Sequence, residues 1–300
     1  MAFDGFVTHG IVRELQNIIM QGKIDKIYQP EKDEITVSVR TFDGTYRLLL
    51  SAATSNPRLH LTEAARQNPV NAPLFCMILR KHLTGGKIIG ISQHDFDRVV
   101  KFDIECYTEM GDLTQKSLII EIMGKHSNII LTQKDNKIID CIKHVDFTTS
   151  AVRQVLPGLF YELPPRQDKN NPTAVSVSDL VQKLGQLPPD SLLDKFLVSE
   201  FIGMSPLLAR EIVFRHTGDT KVLSGSIVPQ DFANHIAAFF TSVIDGHETP
   251  SIIKEKDNGK PTAFSCVNLT QYSGLADIIP CDNLSFAVEE FFSTRDLTTD

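Results

Sequence analysis

The sequence predicts an α+β protein in which an antiparallel, β-rich lobe precedes a helical portion. Short stretches rich in β-branched and aromatic residues occupy most of residues 23–145, with charged or glycine-containing turns between them, a pattern typical of antiparallel strands. Apolar positions at helical spacing then dominate residues 191–244. The 300 residues exceed the roughly 100 to 200 residues of one typical domain, so we expect more than one compact region.

The β-rich part begins with a helix, which we predict over residues 8–21 and which Gly22 ends. A second helix is expected over residues 73–84, with Pro73 early and Gly85 and Gly86 as the stop. The predicted strands are 23–29, 34–40, 46–52, 87–93, 98–106, 117–124, 128–133 and 137–145. Residues 23–145 should therefore form a β-sandwich or a curled sheet with one or two helices.

The segment 162–176 is the best candidate linker, because it holds three prolines and two adjacent asparagines. Helices are expected beyond it, over residues 191–201, 205–218 and 229–244. Strand-like pieces at 251–256 and 262–267 and a helix at 284–293 follow. We therefore divide the chain into a β-rich lobe (1–170), a helical region (171–245) and a last segment (246–300) that returns to the first lobe.

Composition excludes several classes of protein. With 42% hydrophobic and 22% charged residues and no apolar run of roughly 20 residues, the chain is predicted to be globular and not membrane-spanning. Asp4 lies where a secretory signal would carry positive charge, and the five cysteines show no paired spacing, so a cytoplasmic protein with reduced thiols is expected. A net charge of -7 means that any nucleic-acid site must be a local basic patch.

No catalytic or metal-binding motif is present in the sequence. The chain lacks GxSxG, GxGxxG, HExxH and the P-loop pattern, and its nine histidines show no metal-ligand spacing. We therefore predict no cofactor, no metal and no enzymatic activity for this chain by itself.

The first candidate site is the stretch FIGMSPLLAREI at 201–212, which resembles a helix-hairpin-helix. Gly203 permits a tight turn and Ser205 can cap the next helix. In such a motif the hairpin N–H groups and the helix N-terminus can face a phosphate. Met204 and Ser205 stand where a binding hairpin usually has a small residue and a second glycine, so plain helix packing is the alternative.

Two predicted turns carry polar residues. At 94–98, Asp97 and Arg98 pair an acceptor with a planar guanidinium that suits a phosphate or a ribose hydroxyl. At 124–128, Gly124 breaks a strand before four polar residues that can bind a phosphate or a sugar edge. The four are Lys125, His126, Ser127 and Asn128. A solvated hairpin loop is the alternative for both turns.

Nine segments, spread in order along nearly the whole chain, resemble the N-terminal domain of NFACT proteins, a family of ribosome quality control factors. The segments are MAFDGFVTHGIVREL, SNPRLHLTE, NPVNAPLFCMILRKHLTGGKI, FDRVV, EIMGKHSNIIL, IIDCIKHV, LPGLFYELPP, FIGMSPLLAREI and AVEEFFSTRD. That family is similar to formamidopyrimidine-DNA glycosylases, so the resemblance implies a glycosylase-like β-rich lobe with a helix-hairpin-helix portion. Complete members continue into a long coiled coil and a further small domain, so this chain is expected to be a part of one.

The resemblance implies a function in RNA binding. It places Asp4, Asp97 and Arg98 at positions that the family uses for tRNA-dependent tailing. The implied partners are alanyl-tRNA and the large ribosomal subunit with its peptidyl-tRNA, on which alanines are added to stalled nascent chains. The turn at 124–128 and the hairpin at Gly203 and Ser205 are further candidate RNA contacts.

Two other functions stay open. Some family members are named fibronectin- or fibrinogen-binding proteins, so a surface adhesin is the main alternative, although no wall-anchor motif accompanies it. A glycosylase-like enzyme is disfavoured, because those enzymes use an N-terminal proline amine and this chain has Ala2 and Phe3 after Met1.

Overall fold

The computed structural model describes residues 3–296, so Met1, Ala2 and residues 297–300 lie outside it. A nine-stranded antiparallel sheet has the strand order β4-β3-β2-β1-β5-β6-β7-β8-β9. Its strands are β1 (Lys23–Glu31), β2 (Glu34–Thr41), β3 (Gly44–Ser51), β4 (Arg58–Thr62), β5 (Lys87–Gln93), β6 (Val99–Tyr107), β7 (Leu113–Glu121), β8 (Asn128–Gln133) and β9 (Ile138–Cys141). The sequence predicts an α+β fold with an antiparallel, β-rich lobe, and the structure confirms this fold class.

The sheet curls around the helix α2 (Leu74–Leu83). This helix packs against β1 and β6 in the middle of the strand order and against β9 at its end. Lys143, just after β9, donates its Nζ to the carbonyl of Ala52, just after β3, at 2.6 Å. Irregular pairing at several positions, such as between Ile88 and Gly90 in β5, accompanies this curvature, as β-bulges increase local twist. The apolar side of α2 fills the interior with Phe75, Cys76, Leu79 and Leu83.

The other α-helices of the described residues are α1 (Gly5–Ile18), which precedes the sheet, and five helices that follow it together with a small sheet. These five are α3 (Val177–Gln186), α4 (Leu193–Glu200), α5 (Pro206–Thr217), α6 (Pro229–Ile244) and α7 (Leu284–Asp296). The small sheet has the order β11-β10-β12, with β10 (Ser251–Lys254), β11 (Pro261–Ser265) and β12 (Asp277–Pro280). Helix α7 packs on β10 and β11, and α6 packs on α3 and α5.

The chain forms two compact units. The sheet unit contains residues 11–94 and 98–166, and the helical unit contains the described residues up to Gly10, Asp95–Asp97 and those from Gln167 on. The boundary at 166/167 falls inside the proline-rich segment 162–176. No helix of the described residues is long and apolar enough to cross a membrane.

The grouping differs from our expectation for residues 246–300. We expected this segment to return to the β-rich lobe, but its described part clusters with residues 167–245 in the helical unit. The physical reason is that β10, β11 and β12 pair with one another in a separate sheet and bury their apolar side chains under α7.

Candidate functional site

The turn between β5 and β6 has a strained backbone. The His94 N–H donates to the Val99 carbonyl at 3.0 Å, which closes the turn. Asp95 and Phe96 both have positive φ, +43° and +61°. A bulky residue such as Phe rarely adopts this left-handed conformation, which costs roughly 1–2 kcal/mol per residue. The surrounding structure must therefore hold the turn in place.

Contacts of Phe96 within the helical unit fix the backbone of this turn. Its ring meets the Phe6 ring edge-on at 4.7 Å between centroids and stacks on the His9 ring at 5.2 Å. Only 4% of Phe96 is exposed. Its carbonyl lies against Gly5 so closely that a Cβ on Gly5 would be 2.3 Å from the oxygen. The buried ring and the close backbone contact together fix the residue that directly precedes Asp97 and Arg98.

Asp97 and Arg98 follow this anchor with half-buried side chains. Within the sheet unit, the Arg98 carbonyl accepts the Ile122 N–H at 2.9 Å. This bond ties Arg98 to the connection between β7 and β8, so the structure brings the predicted turn at 124–128 to the same end of the sheet. Two of the predicted sites are therefore neighbours.

The turn at 124–128 divides into two parts. Lys125 and His126 are exposed, but Ser127 and Asn128 are buried. Ser127 Oγ accepts the Met123 N–H at 2.8 Å. Asn128 holds Lys143 from both sides, because its Oδ1 accepts the Lys143 N–H and its Nδ2 donates to the Lys143 carbonyl. Ser127 and Asn128 therefore make hydrogen bonds within the fold, and the two basic residues form the accessible part of the turn; contact of this turn with RNA stays a prediction.

Asp4 is buried, with 6% of its surface exposed. Its Oδ1 accepts the Val7 N–H at 2.8 Å and so caps α1. Its Oδ2 accepts the Ser205 hydroxyl at 2.6 Å. Burial raises the pKa of Asp4 from 3.8 to about 6, although the hydrogen bonds from Ser205 and Val7 act in the opposite direction. The carboxylate thus joins two helix N-termini, and the role of Asp4 in tRNA-dependent tailing stays a prediction.

The predicted helix-hairpin-helix is formed by α4, the turn 201–205 and α5. Gly203 has φ +77°, and its carbonyl accepts the Gly5 N–H at 3.0 Å. A Cβ on Gly203 would lie 2.6 Å from the Phe96 oxygen and 2.8 Å from the Gly5 Cα. Ser205 is buried, and its Oγ also accepts the Leu208 N–H to cap α5. The hairpin is packed against the start of α1, which matches the helix-packing alternative and leaves little room for a phosphate at Gly203 or Ser205.

Three consecutive basic residues near the end of α2 have partners within the sheet unit. Arg80 donates its Nε to the Ile27 carbonyl at 2.7 Å, and Lys81 pairs with Glu109 at 3.1 Å. His82 Nδ1 lies 2.8 Å from Lys116 Nζ, and burial together with this lysine lowers the pKa of His82.

The sheet unit contains a cavity of about 350 Å³ that includes His94 in its lining. The sequence did not predict this cavity. Ser92, Gln93, Val99, Lys101 and Tyr161 line it together with His94.

A buried polar network beside this cavity holds Tyr161 in place. Arg153 binds the two oxygens of Glu121 at 3.0 and 2.6 Å, and the Tyr161 hydroxyl donates to Glu121 at 2.7 Å. Burial, and then the neighbouring Glu121 carboxylate, raise the pKa of Tyr161. No sequence pattern marks this network, because its members are 32 and 40 residues from Glu121.

Comparisons with known proteins agree with this architecture. The family model described as NFACT N-terminal and middle domains matches residues 4–300. The Rqc2 homolog RqcH of Bacillus subtilis is 40% identical over 293 residues, which are 97% of this chain and 49% of that protein. The human ribosome quality control complex subunit NEMF is 22% identical over 222 residues, 73% of this chain and 19% of that protein.

A solved structure shares the fold over almost its full length. It is the N-terminal part of the fibronectin/fibrinogen-binding protein from Streptococcus suis, with a TM-score of 0.80, 32% identity, and coverage of 97% of this chain and 99% of that one. The present chain spans about half the length of the bacterial relative RqcH. With a family model over nearly all its residues, the chain belongs to the NFACT N-terminal and middle domain family, the family of the ribosome quality control proteins RqcH and NEMF.

Proposed function

We propose that this chain is the tRNA- and large-ribosomal-subunit-binding module of a cytoplasmic ribosome quality control factor. In this proposal the complete protein recruits alanyl-tRNA so that alanines are added to stalled nascent chains. The chain itself acts as a binding module and not as an enzyme, because the ribosome forms the peptide bonds. Its membership of the RqcH and NEMF family supports a role in ribosome quality control.

The observation that carries the proposal is the strained turn before Asp97 and Arg98. Two consecutive non-glycine residues in the left-handed region are costly, and such strain clusters at functional sites. The Phe96 ring offsets part of that cost through burial. If the turn served only to connect β5 and β6, glycine or asparagine at these two positions would adopt positive φ with less strain than Asp95 and Phe96.

The chemistry of the pair suits RNA. The guanidinium of Arg98 can donate two parallel hydrogen bonds to a phosphate or to a base edge, and the carboxylate of Asp97 can accept from a ribose 2′-hydroxyl or an amino group. Lys125 and His126 are exposed on the next turn at the same end of the sheet as Arg98. They add local positive charge to a chain whose net charge is -7, as phosphate binding requires.

The test is a titration of tRNA with this chain at two salt concentrations. The parent should bind with an affinity that falls as salt rises, because each neutralised phosphate releases counterions. The Asp97→Ala, Arg98→Ala double variant should lose at least about tenfold in affinity. Circular dichroism and thermal melting would establish that the variant is folded.

If the variant binds tRNA as well as the parent does, Asp97 and Arg98 do not contact the tRNA. If neither binds, the same comparison should be made with the full-length protein and large ribosomal subunits. Equal binding there by parent and variant would contradict the proposal.

The second candidate function is fibronectin or fibrinogen binding, with display at the cell surface. The name of the Streptococcus suis structure favours it. Several large apolar side chains on one segment of the sheet unit are also exposed, among them Phe147, Val152 and Phe160. Saturable binding of immobilised fibronectin or fibrinogen by the folded chain, without dependence on Asp97 and Arg98, would support it over RNA binding.

A further inference from the structure

Three metal-ligating side chains converge where β9 ends. Asp140 and Cys141 are the last two residues of β9, and His144 follows three residues later. One carboxylate oxygen, the thiol sulfur and one imidazole nitrogen all lie within 4.8 Å of one another. Oxygen, sulfur and nitrogen ligands of these three residue types are the ones that zinc takes in proteins.

The backbone already orients this cluster. Asp140 Oδ1 accepts the Cys141 N–H at 2.8 Å, which fixes the carboxylate over the strand end. His144 Nε2 lies 2.8 Å from the same oxygen. Asn128 holds the intervening Lys143 by its N–H and its carbonyl, so the path from Cys141 to His144 is itself anchored. Little ordering entropy would remain to be lost when an ion binds.

Burial leaves one side of the cluster open. Asp140 and Cys141 are buried, whereas 57% of the His144 side chain is exposed. An ion held by the three side chains would therefore have protein on the inner side and solvent on the outer side. Three protein ligands with one position left for water is a coordination that zinc adopts.

The electrostatics of the cluster favour a cation. The buried carboxylates of Asp140 and Glu121 both add negative charge near the Cys141 thiol. Arg153 pairs with Glu121, but no lysine or arginine in the described part of the chain forms a salt bridge with Asp140. A divalent ion at this place would compensate the negative charge of the buried carboxylate.

We propose that Asp140, Cys141 and His144 form a binding site for a divalent transition-metal ion, with zinc as the best match. On binding, His144 Nε2 gives up the proton that it shares with Asp140, with the neutral imidazole keeping its proton on Nδ1, and the Cys141 thiol releases its proton to the solvent; the His144–Asp140 hydrogen bond is replaced by one metal bond to each residue. The oxygen and nitrogen must separate from 2.8 Å to about 3.3 Å, given bonds of about 2.0 Å in a tetrahedral arrangement. The exposed imidazole is free to make this small movement.

Such an ion would tie β9 to the segment that follows it. The Cys141 thiol lies 3.5 Å from the Val155 carbonyl, and Val145 and Val155 exchange two backbone hydrogen bonds. The site therefore lies at the base of the loop 142–155, which a bound ion would hold against β9. The pattern D-C-x-x-H does not match the usual zinc motifs, which explains why the sequence predicted none.

The experiment uses the folded chain after dialysis against a chelator, with zinc titrated by calorimetry near neutral pH. The parent should bind one ion per chain and release protons to the buffer. His144→Ala and Cys141→Ser should each weaken binding by at least about tenfold. The matched control is His126→Ala, an exposed histidine of the same unit, which should bind as the parent does.

A second measurement identifies the sulfur ligand. Cobalt bound in place of zinc should give the near-ultraviolet charge-transfer absorption of a thiolate–cobalt bond, and Cys141→Ser should lack it. Zinc should also raise the melting temperature of the parent by a few degrees, roughly as mass action predicts, and leave that of His144→Ala unchanged.

Absence of stoichiometric zinc binding by the parent would overturn the proposal, and so would equal binding by parent and His144→Ala. In both cases the cluster is only an ion pair beside a buried thiol. Because His144 is exposed, its variant is expected to fold, so it decides the question even if Cys141→Ser is unstable.

Discussion

The turn at 94–98 and the hairpin at 201–205 both contain residues with positive φ, but they use different residue types there. Both need positive φ, but the hairpin meets the need with Gly203 and the turn with Asp95 and Phe96. In the hairpin, the Ser205 hydroxyl and the Gly203 carbonyl are bonded to Asp4 and Gly5. In the turn, the buried Phe96 ring fixes the backbone, and the half-buried Asp97 and Arg98 follow it.

The difference separates structural polar residues from candidate functional ones. A hairpin whose polar groups bind one another stabilises the helical unit and has little left to offer a ligand. A turn that keeps a costly conformation and holds it by burying an aromatic ring fits a functional constraint better. The following predictions break or sharpen this comparison, beginning with the largest effect.

Gly203→Ala should reduce the free energy of unfolding by about 3 kcal/mol or more. The new Cβ would lie 2.6 Å from the Phe96 oxygen, and alanine is also strained at φ +77°. Chemical denaturation measures the loss. Gly274→Ala is the matched control, because Gly274 has φ +78° and its Cβ would meet nothing within 4 Å. It should lose only about 1 kcal/mol. Equal losses in the two variants would show that close packing at the hairpin contributes nothing.

Asp4→Asn should change how stability depends on pH. The folded-state pKa of about 6 lies above the ordinary 3.8, so protonation of Asp4 favours the folded state. Its stabilising contribution is complete below about pH 4 and is lost as pH rises through 6. Over that window the parent should lose about 2 kcal/mol relative to the variant. Denaturation curves across the pH range measure this difference, and parallel curves would contradict the burial of Asp4.

Lys125→Ala should weaken tRNA binding severalfold, by less than the loss of Asp97 and Arg98. Loss of one phosphate contact should also reduce the slope of log affinity against log salt by about 0.7 to 0.9. Lys134→Ala is the control, since Lys134 is an exposed lysine between β8 and β9, at the other end of the sheet. If both variants bind alike, general charge and not the turn at 124–128 attracts the RNA.

Much of the fold follows from local patterns in the sequence. The strands β5 and β8 and the helix α6 have the predicted bounds, because their apolar periodicity is uninterrupted and clear turn residues flank them. Strand β4 was missed. Its buried residues include Arg58, His60 and Thr62, which look like a solvated segment until the ion pair of Arg58 with Glu34 on β2 is known. A charged residue can be buried when a partner from a distant part of the chain pairs with it, and a local sequence pattern gives no information about that partner.

The candidate site was only partly predictable for the same reason. Asp97 and Arg98 stand out by chemistry and by family resemblance, but the strain at Phe96 and the ring cluster that offsets it involve Phe6 and His9, which are nearly 90 residues away. Ser127, Asn128 and Ser205 looked equally suitable as ligand contacts. The structure assigns their hydrogen bonds to the backbone and to Asp4.

The most direct test of the account compares tRNA binding by two variants in one titration. Ser205→Ala should lose about 1 to 2 kcal/mol of stability, because a helix cap and a partner of the buried Asp4 disappear. At a temperature where it stays folded, it should bind tRNA as the parent does. The Asp97→Ala, Arg98→Ala variant should remain folded and lose at least about tenfold in affinity. The opposite result, with binding lost in Ser205→Ala and kept in the double variant, would place the RNA contact at the hairpin and contradict the account.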